Sequence, residues 1–326
     1  MRTLNTIGKE YPQEARDILK KLGTVHYREF SQEELTKRIS EYDAAVIGLG
    51  LTFNKDILNA AKKLKVIATA TTGLDHVDLE EAEKREIQVL SLRGETKFLN
   101  TITGTSELAA GIMIELLRRT PHAFESVKKY EWKRDAFRGH NLYGKTLGIV
   151  GMGRLGRWMA RYGDAFGMKV QFFDPYVKKS PSKKYEKVSF DKILKTSDVV
   201  SVHIHLDKDT ENMFSAREFG IMKKNAYLIN TSRGKIVDEK ALLSALVKKE
   251  MAGYATDVLA EELSFGKSFK KHPLVEYAKT HENLIIVPHI GGMTEESRVA
   301  TDVFMAEKLK KYVRTTKGIS SADVLK

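Results

Sequence analysis

The chain has 326 residues, a formal net charge of +12 and no cysteine. This length is sufficient for two domains with separate cores. The lack of cysteine excludes disulfides, thiolate metal sites and cysteine nucleophiles, and because the sequence has no cluster of the H-E-x-x-H kind we expect no metal. No apolar stretch approaches the roughly 20 residues that span a bilayer, and no signal-peptide pattern opens the chain. We therefore expect a cytoplasmic protein that does not bind membranes.

The positive charge is spread along the chain rather than gathered in one patch. The local clusters at 178–187 and 267–271 lack the repeated alternation of basic and stacking aromatic residues that binds nucleic acid. A solvated, lysine-rich surface is the simpler interpretation, and we expect no nucleic-acid partner. Nucleic-acid binding remains an alternative that rests on the net charge alone.

The first hundred residues alternate short apolar strands with helices. Ser31 and Glu34 form an S-x-x-E capping box at one helix start, and Pro12 fits the first turn of an earlier helix. The predicted strands, which are short and rich in β-branched residues, are 3–7, 24–27, 44–47, 66–70 and 88–90. Because helices separate the strands, we expect parallel pairing in a doubly wound α/β sheet.

A second alternating series begins near Gly144. Helix starts within it are marked by Ser215 with Glu218 and by Asp238. The six predicted strands of this series are 147–150, 170–173, 199–202, 227–229, 253–256 and 284–287. The pattern predicts a second doubly wound parallel sheet, in a domain of its own.

A glycine-rich turn of the form G-x-G-x-x-G follows the first strand of this second series. Gly151 permits a tight turn, Gly153 lets backbone N–H groups approach phosphates, and Gly156 allows the next helix to lie close to the sheet. Asp174 ends the following strand, where its carboxylate can accept from both ribose hydroxyls and repels a 2′-phosphate. The pattern predicts a dinucleotide site that prefers NAD, a preference that the lysines at 178 and 179 can soften. The alternative is a nucleotide-shaped fold that has lost its ligand.

Two long helical patterns lie outside both series, at 106–119 and 294–313. One precedes the dinucleotide-binding series and the other follows it, so the simplest geometry returns the C-terminal helix to the N-terminal domain. We therefore predict a smaller substrate domain formed by residues 1–100 and 292–326, and a dinucleotide-binding domain over residues 101–291. The two long helices would join the domains at a hinge beside a cleft.

Three residues that can carry chemistry follow strands of the second series: Arg233, Glu262 and His289. Hydride transfer to a carbonyl needs a cation that polarises the carbonyl, a proton donor, and a group that tunes the donor. The carboxyl ends of parallel strands meet at one edge of a sheet, where open α/β sheets bind ligands. Each residue alone is more often a surface cap, a turn residue or a solvated carboxylate. Their combination beside a dinucleotide motif favours the chemical interpretation.

The order of these segments resembles the D-isomer-specific 2-hydroxyacid dehydrogenase family, which includes glyoxylate/hydroxypyruvate reductases and phosphoglycerate dehydrogenases. The match covers nearly the whole chain and includes the segments 70–79, 144–148 and 222–230. The resemblance implies a Rossmann domain that binds NAD, a smaller flavodoxin-like substrate domain, and interconversion of a small 2-oxo acid and its D-2-hydroxy acid. It also implies a homodimer, because the helix from Ser106 and the segment with Trp132 look like the family's dimer arm.

The resemblance further implies roles for residues at matching positions. His289 would protonate the carbonyl oxygen, and Glu262 would hydrogen-bond the other ring nitrogen and raise the histidine pKa. Arg233 would bind the substrate carboxylate, together with backbone N–H groups of Thr72 and Gly73. The implied cofactor-binding residues are Gly151, Gly153, Arg154, Leu155, Gly156, Asp174, Ile204, His205, Thr210, Thr231, Ser232 and Asp257. Asp257 among them would take the nicotinamide carboxamide.

The chain departs from the family pattern at three positions. Leu263 follows the predicted catalytic glutamate where the family usually has proline, and His205 replaces the proline of the family's H-x-P-L segment. Leu49 lies where phosphoglycerate dehydrogenases tend to carry arginine, so phosphoglycerate ranks below glyoxylate, hydroxypyruvate or a short aliphatic analogue without being excluded. Formate- or phosphite-oxidising relatives share the cofactor machinery. A second alternative is a cofactor-sensing protein, similar to corepressors that resemble this family, with little turnover.

Overall fold

The structure is a computed structural model that describes residues 1–262, 265, 269 and 271–318. The chain divides into two compact units. The first unit contains Met1–Leu99 and the described chain from Thr294 onward, and the second unit contains Asn100–Met293. Each unit is built on its own parallel sheet.

The first unit has a five-stranded parallel sheet in the order β2-β1-β3-β4-β5. The strands are β1 Arg2–Asn5, β2 Thr24–Tyr27, β3 Ala44–Ile47, β4 Val66–Thr69 and β5 Gln88–Leu90. The first strand ends two residues before the predicted limit of 7, because the Asn5 side-chain oxygen accepts the N–H groups of Ile7 and Gly8 and turns the chain out of the sheet. This order is that of flavodoxin-like doubly wound sheets.

The helices of the first unit cover both faces of this sheet. They are α1 Gln13–Lys20, α2 Gln32–Arg38, α3 Lys55–Ala60, α4 Leu79–Lys84, α5 Thr96–Leu99 and, at the end of the chain, α13 Glu295–Gly318. The capping box at α2 is confirmed, since Glu34 donates its N–H to the Ser31 hydroxyl and its carboxylate accepts the Ser31 N–H. The prediction for Pro12 was off by one position: Pro12 is the N-cap residue of α1 and precedes its first turn. Helix α13 packs on α1, where the Tyr11 hydroxyl donates to the Asp302 carbonyl.

The second unit has a seven-stranded parallel sheet in the order β12-β11-β10-β9-β6-β7-β8. Its strands are β6 Thr146–Val150, β7 Lys169–Phe173, β8 Glu186–Lys187, β9 Val199–Val202, β10 Tyr227–Asn230, β11 Gly253–Thr256 and β12 Leu284–Ile286. The prediction of six strands missed β8, because this two-residue edge strand is exposed and has no apolar pattern. The order is the Rossmann order with one further strand at the β12 edge.

The helices of the second unit alternate with these strands. They are α6 Gly104–Arg118, α7 Thr120–Lys128, α8 Arg154–Ala165, α9 Phe190–Thr196, α10 Ala216–Ile221, α11 Glu239–Val247 and α12 Pro273–Ala278. Helix α6 ends before the predicted limit because Arg119 adopts a left-handed conformation with φ of 57°. The start predicted at Asp238 is confirmed, since its carboxylate accepts the N–H groups of Lys240 and Ala241.

The alternation of side chains along each strand builds two cores in the second unit, one on each face of the sheet. Val150 and Val202 lie in one core, whereas Ile149 and Val199 lie in the other. The polar residues that follow the strands collect at the carboxyl edge of the sheet. Within the described part of the chain, no helix is both long and apolar enough to cross a membrane.

Candidate active site

The glycine turn joins β6 to α8 and leaves space for a phosphate group. Gly151 has a φ of +94°, and a Cβ placed on it would lie 2.7 Å from the Ile204 side chain. A Cβ on Gly156 would overlap the Gly151 carbonyl, so α8 can approach the sheet only with glycine at this position. By contrast, a Cβ placed on Gly153 would have no described heavy atom within 4 Å. Gly153 is the N-cap of α8 and no side chain caps this end, so the first amides of the helix can bind an anion.

The first turn of α8 carries Arg154 and Leu155, both half-buried. The Arg154 guanidinium donates to the Ile102 carbonyl, and burial lowers its pKa. Arg157, one turn later, donates from Nε to the Met152 carbonyl at 3.2 Å. Arg157 therefore contacts the backbone of the glycine turn, whereas Arg154 contacts the segment that precedes α6.

The Asp174 carboxylate lies at the end of β7 and is held by backbone N–H groups. Oδ2 accepts from Met152 at 2.8 Å, and Oδ1 accepts from Tyr176 at 2.8 Å and from Val177 at 3.1 Å. A carboxylate has about four lone-pair positions, of which these bonds fill all but one. These bonds fix the Asp174 carboxylate at the end of β7 and leave Oδ2 with capacity for a further donor.

Glu262 and His289 lie in contact at the carboxyl edge of the same sheet. The distance from His289 Nδ1 to Glu262 Oε1 is 2.7 Å, and Glu262 Oε2 accepts the Leu259 N–H at 3.3 Å. His289 has a φ of 53°, in the left-handed region, and its N–H donates to the Asp257 carbonyl at 2.9 Å. Because the carboxylate takes Nδ1, the other ring nitrogen, Nε2, is left for a second partner.

Asp257 lies beside this pair in a buried position. Its carboxylate accepts the N–H groups of Ile290 at 2.6 Å and Gly291 at 2.8 Å, which fixes the turn after His289. Burial raises the Asp257 pKa to about 6, against the lowering effect of the two N–H groups and of His289, while Glu262 raises it further. The charges of His289 and Glu262 therefore both influence the pKa of Asp257.

The loop after β10 carries Arg233 and approaches the loop that carries Glu262. The Arg233 backbone is extended, its carbonyl accepts from the Asn230 side chain at 2.9 Å, and its guanidinium donates to the Ser232 carbonyl at 2.8 Å. A Cβ placed on Gly234 would overlap the backbone of Leu259. The close packing of these loops therefore depends on glycine after Arg233.

Thr231 and Ser232 line the same strand end. Ser232 donates its hydroxyl to the Val202 carbonyl at 2.8 Å. The Thr231 hydroxyl is buried and has no hydrogen-bond partner among the described residues. Thr256 pairs with Asn230, so extending the register by one residue places Thr231 beside Asp257. An unsatisfied buried hydroxyl next to a carboxylate fits a site that a polar ligand group completes.

The loop after β9 carries Ile204, His205 and Thr210. The Thr210 hydroxyl donates to the exposed His205 backbone carbonyl at 2.8 Å and accepts the Asp207 N–H at 2.8 Å. His203, which precedes this loop, bonds through Nε2 to the Ser201 hydroxyl at 2.9 Å, and burial lowers its pKa to about 4. His203 is therefore neutral near pH 7.

Thr72 and Gly73 belong to the first unit, in the loop after β4. The Thr71 hydroxyl donates to the Gly73 carbonyl at 2.8 Å, and Thr69 Oγ1 lies 3.1 Å from Thr71 Oγ1. The loop is thus held by hydroxyl groups. The family departure at Leu263 lies outside the described residues.

Two further residues, Glu239 and His272, lie behind Glu262 and were not predicted from the sequence. Glu239 Oε1 accepts the N–H of Ala260, and His272 Nε2 lies 3.2 Å from Glu239 Oε2. Only the cap at Asp238 marked this segment in the sequence. In the described ranges, no three His, Asp or Glu side chains are grouped so that they could hold a metal ion.

Comparison with known proteins identifies the family. Residues 110–291 match the family described as D-isomer specific 2-hydroxyacid dehydrogenase, NAD binding domain. The chain is 36% identical over 290 residues to a glyoxylate reductase of Thermococcus litoralis, covering 86% of this chain and 83% of that protein. It is 35% identical over 306 residues to a D-3-phosphoglycerate dehydrogenase of Methanocaldococcus jannaschii, covering 93% of this chain but 56% of that protein. The chain spans about half the length of the D-3-phosphoglycerate dehydrogenases it matches first.

A solved structure agrees with these matches. The structure of D-lactate dehydrogenase from Aquifex aeolicus, complexed with NAD and lactic acid, aligns with a TM-score of 0.83 at 27% identity, over 100% of this chain and 99% of that one. The chain therefore belongs to the D-isomer specific 2-hydroxyacid dehydrogenase family, and its second unit contains the NAD-binding domain. The predicted family, the two doubly wound parallel sheets and the NAD cofactor are confirmed.

Proposed function

We propose that this protein is an oxidoreductase that interconverts a small 2-oxo acid and its D-2-hydroxy acid. In the direction of reduction, the 2-oxo acid takes a hydride from NADH and a proton from the protein, which gives the 2-hydroxy acid and NAD. The observation that carries the proposal is the contact between His289 and Glu262 at the carboxyl edge of the NAD-binding sheet. This edge is where open α/β sheets bind ligands.

His289 is the proton donor in this proposal. Because Glu262 accepts from Nδ1, the ring is held in one orientation and Nε2 delivers the proton to the carbonyl oxygen. Glu262 also stabilises the charged imidazole until the proton leaves. In the opposite direction, the neutral ring removes the hydroxyl proton.

Arg233 binds and polarises the substrate. Its planar guanidinium offers two parallel N–H donors, which suits a carboxylate next to a carbonyl. Thr72 and Gly73, in the loop after β4, are carried over from the family as further substrate contacts. NAD, when bound, supplies the site that gives or takes the hydride.

The proposed cofactor contacts follow from the shape of the second unit. The open space at Gly153 and the first amides of α8, at Arg154 and Leu155, suit a pyrophosphate, and the Asp174 carboxylate suits the ribose hydroxyls. The unsatisfied Thr231 hydroxyl and the neighbouring Asp257 suit the nicotinamide carboxamide. The remaining proposed contacts, carried over from the family, are Gly151, Gly156, Ile204, His205, Thr210 and Ser232.

The substrates that we propose first are glyoxylate, hydroxypyruvate and short aliphatic 2-oxo acids. The similar proteins include a glyoxylate reductase and D-lactate dehydrogenases, whose names indicate small substrates. Leu49 follows β3 where phosphoglycerate dehydrogenases of the family tend to carry arginine, so this position offers no charge to a phosphate.

A homodimer is also part of the proposal. Helix α7 and the segment after it expose an apolar surface, on which Trp132 is 85% and Tyr130 is 100% exposed. Phe124, Val127 and Tyr143 add to it. Exposed apolar side chains of this size, concentrated in one part of the chain, are typical of a protein interface. Light scattering on the purified protein should give twice the monomer mass, and Trp132→Glu should shift it toward the monomer.

The test of the proposed reaction follows NADH absorbance while the protein is offered glyoxylate, pyruvate, hydroxypyruvate and 3-phosphohydroxypyruvate, with NADPH in parallel. We expect rapid oxidation of NADH with one or two of the smaller acids and slower oxidation of NADPH. Tight NADH binding with no turnover on any acid would contradict the proposal and would favour the cofactor-sensing alternative.

A further inference from the structure

A second histidine–carboxylate pair lies behind the pair formed by His289 and Glu262. Glu239 is the first residue of α11, and His272 is the N-cap residue of α12. The distance from His272 Nε2 to Glu239 Oε2 is 3.2 Å, and the two side chains are only 13% and 20% exposed. A pair this well shielded from water holds its geometry better than an exposed ion pair does.

Glu239 accepts a hydrogen bond from the turn that carries Glu262. Its Oε1 accepts the Ala260 N–H at 2.9 Å, while Glu262 Oε2 accepts the N–H of the preceding residue, Leu259, at 3.3 Å. Two successive amides of one turn thus donate to two carboxylates. One of these carboxylates, Glu262, is the partner of His289. The other, Glu239, belongs to α11.

The same turn packs closely against the loop that carries Arg233. Gly234 allows the close approach, since a Cβ there would overlap the backbone of Leu259. Lys235 lies 3.4 Å from the Glu261 carboxylate, which adds an ion pair between the two loops. The Glu239 carboxylate therefore acts at the point where the loops of Arg233 and Glu262 meet.

Glu239 lies in the first turn of α11, where acidic side chains interact favourably with the amide dipoles of a helix. Tyr254, buried in β11, is close enough that the Glu239 charge adds to the effect of burial in raising the tyrosine pKa. One Glu239 oxygen therefore accepts the Ala260 N–H while the other faces His272.

We propose that Glu239, braced by His272, is a positioning residue that holds the turn of residues 259–262 so that Glu262 meets His289. The inference rests on the proposed function, because it assigns Glu239 to the support of that acid–base pair. Glu239 holds the turn through its hydrogen bond to Ala260, and the turn sets the position of Glu262.

The first test is the substitution Glu239→Ala. The substitution removes the hydrogen bond from Ala260 that holds the turn. Because a displacement of about 1 Å at a reacting group costs about 100-fold in rate, we expect kcat to fall about 10- to 100-fold. The KM for the 2-oxo acid and the Kd for NADH should change by no more than about twofold, because neither ligand contacts Glu239. Glu239→Asp keeps the charge but shortens the side chain by one methylene, and should also lower kcat. If Glu239→Ala does not fold, the fall in kcat is measured in Glu239→Asp instead.

Two further variants separate positioning from helix stability. Glu239→Gln keeps an acceptor for Ala260 and a polar group for His272, so it should recover most of the wild-type kcat. Asp238→Ala removes the cap of the same helix without touching the turn, so it should lower the melting temperature and leave kcat unchanged. Equal loss of kcat in Asp238→Ala and Glu239→Ala would overturn the proposal.

A spectroscopic measurement keeps the inference separate from the proposed function. The proton on His289 Nδ1, bonded to Glu262, should give a downfield proton resonance that is absent from His289→Gln. We expect this resonance in the wild type and in Glu239→Gln, and its loss or broadening in Glu239→Ala. If the wild type has no turnover but shows this pattern, the proposed function fails and the positioning role stands. A resonance unchanged in Glu239→Ala, or a fall in kcat matched by an equal loss of NADH affinity, would overturn the positioning role.

Discussion

In the second unit, the carboxyl edge of the sheet carries buried carboxylates, whereas in the first unit the loop after β4 is held by neutral groups. Asp174 and Asp257 accept backbone N–H groups in the second unit, and Glu262 contacts a histidine. In the first unit, Thr69 and Thr71 bond to each other and Thr71 donates to the Gly73 carbonyl. Charged groups therefore hold the loops of the candidate active site in the second unit, whereas neutral hydroxyl groups hold the loop after β4 in the first unit.

The largest expected effect on kcat/KM comes from substitution of Arg233. Replacing it with alanine removes the cation that polarises the carbonyl, so kcat/KM should fall about 1,000-fold. Arg233→Lys keeps the charge but loses the planar pair of donors, and should recover only part of the loss. Steady-state kinetics with the preferred 2-oxo acid measures both. An alanine variant that keeps wild-type kcat/KM would remove Arg233 from the site.

A smaller effect is expected from Glu262→Gln. The amide can still contact His289 Nδ1, but it no longer stabilises the charged ring, so kcat should fall about 100-fold. Steady-state kinetics with the preferred 2-oxo acid measures the fall. A kcat in Glu262→Gln equal to that of the wild type would contradict the role of Glu262.

The first unit also contains a buried carboxyl group, Asp302 in α13, and replacing it tests how much one buried titratable group changes the stability of this unit. Burial raises its pKa to about 6 despite the opposing effect of Arg298. A carboxyl group whose pKa is higher in the folded than in the unfolded state stabilises the fold below its unfolded pKa of about 4, and this contribution is lost as the pH rises through about 6. We expect the free energy of unfolding of the wild type, relative to Asp302→Asn, to fall by about 2 kcal/mol between about pH 4.5 and about pH 7.5.

Hydrogen exchange of amides in β1 and α13 measures this difference, since both elements lie in the first unit. Identical pH dependence in the wild type and Asp302→Asn would show that the buried carboxyl has no effect on stability.

The smallest effect is expected from Thr71→Val. The change removes the hydroxyl that donates to the Gly73 carbonyl and loosens the loop that we propose to contact the substrate. The loss of about 1 kcal/mol should raise KM about fivefold and leave kcat unchanged. Thr36→Val, on the exposed face of α2, is the matched control. A fall in kcat instead would assign this loop a part in the chemistry.

Patterns of short range made most of the fold predictable from the sequence. The strands of both sheets and the glycine turn depend on local alternation and spacing, and only the two-residue strand β8 was missed. The bond from the Met152 N–H to Asp174 could not be predicted, because it depends on how two loops meet. The contact of Glu239 with Ala260 and His272 was unpredictable for the same reason: the three residues lie on separate segments.

The most direct test of the account is a single-turnover measurement of NADH oxidation by the wild type and by His289→Ala, with NADH affinity measured by fluorescence. The account predicts that the rate of hydride transfer falls about 1,000-fold in the variant while NADH binds with the same affinity. A variant that transfers hydride at the wild-type rate, or that loses rate and NADH affinity together, would contradict proton transfer by His289.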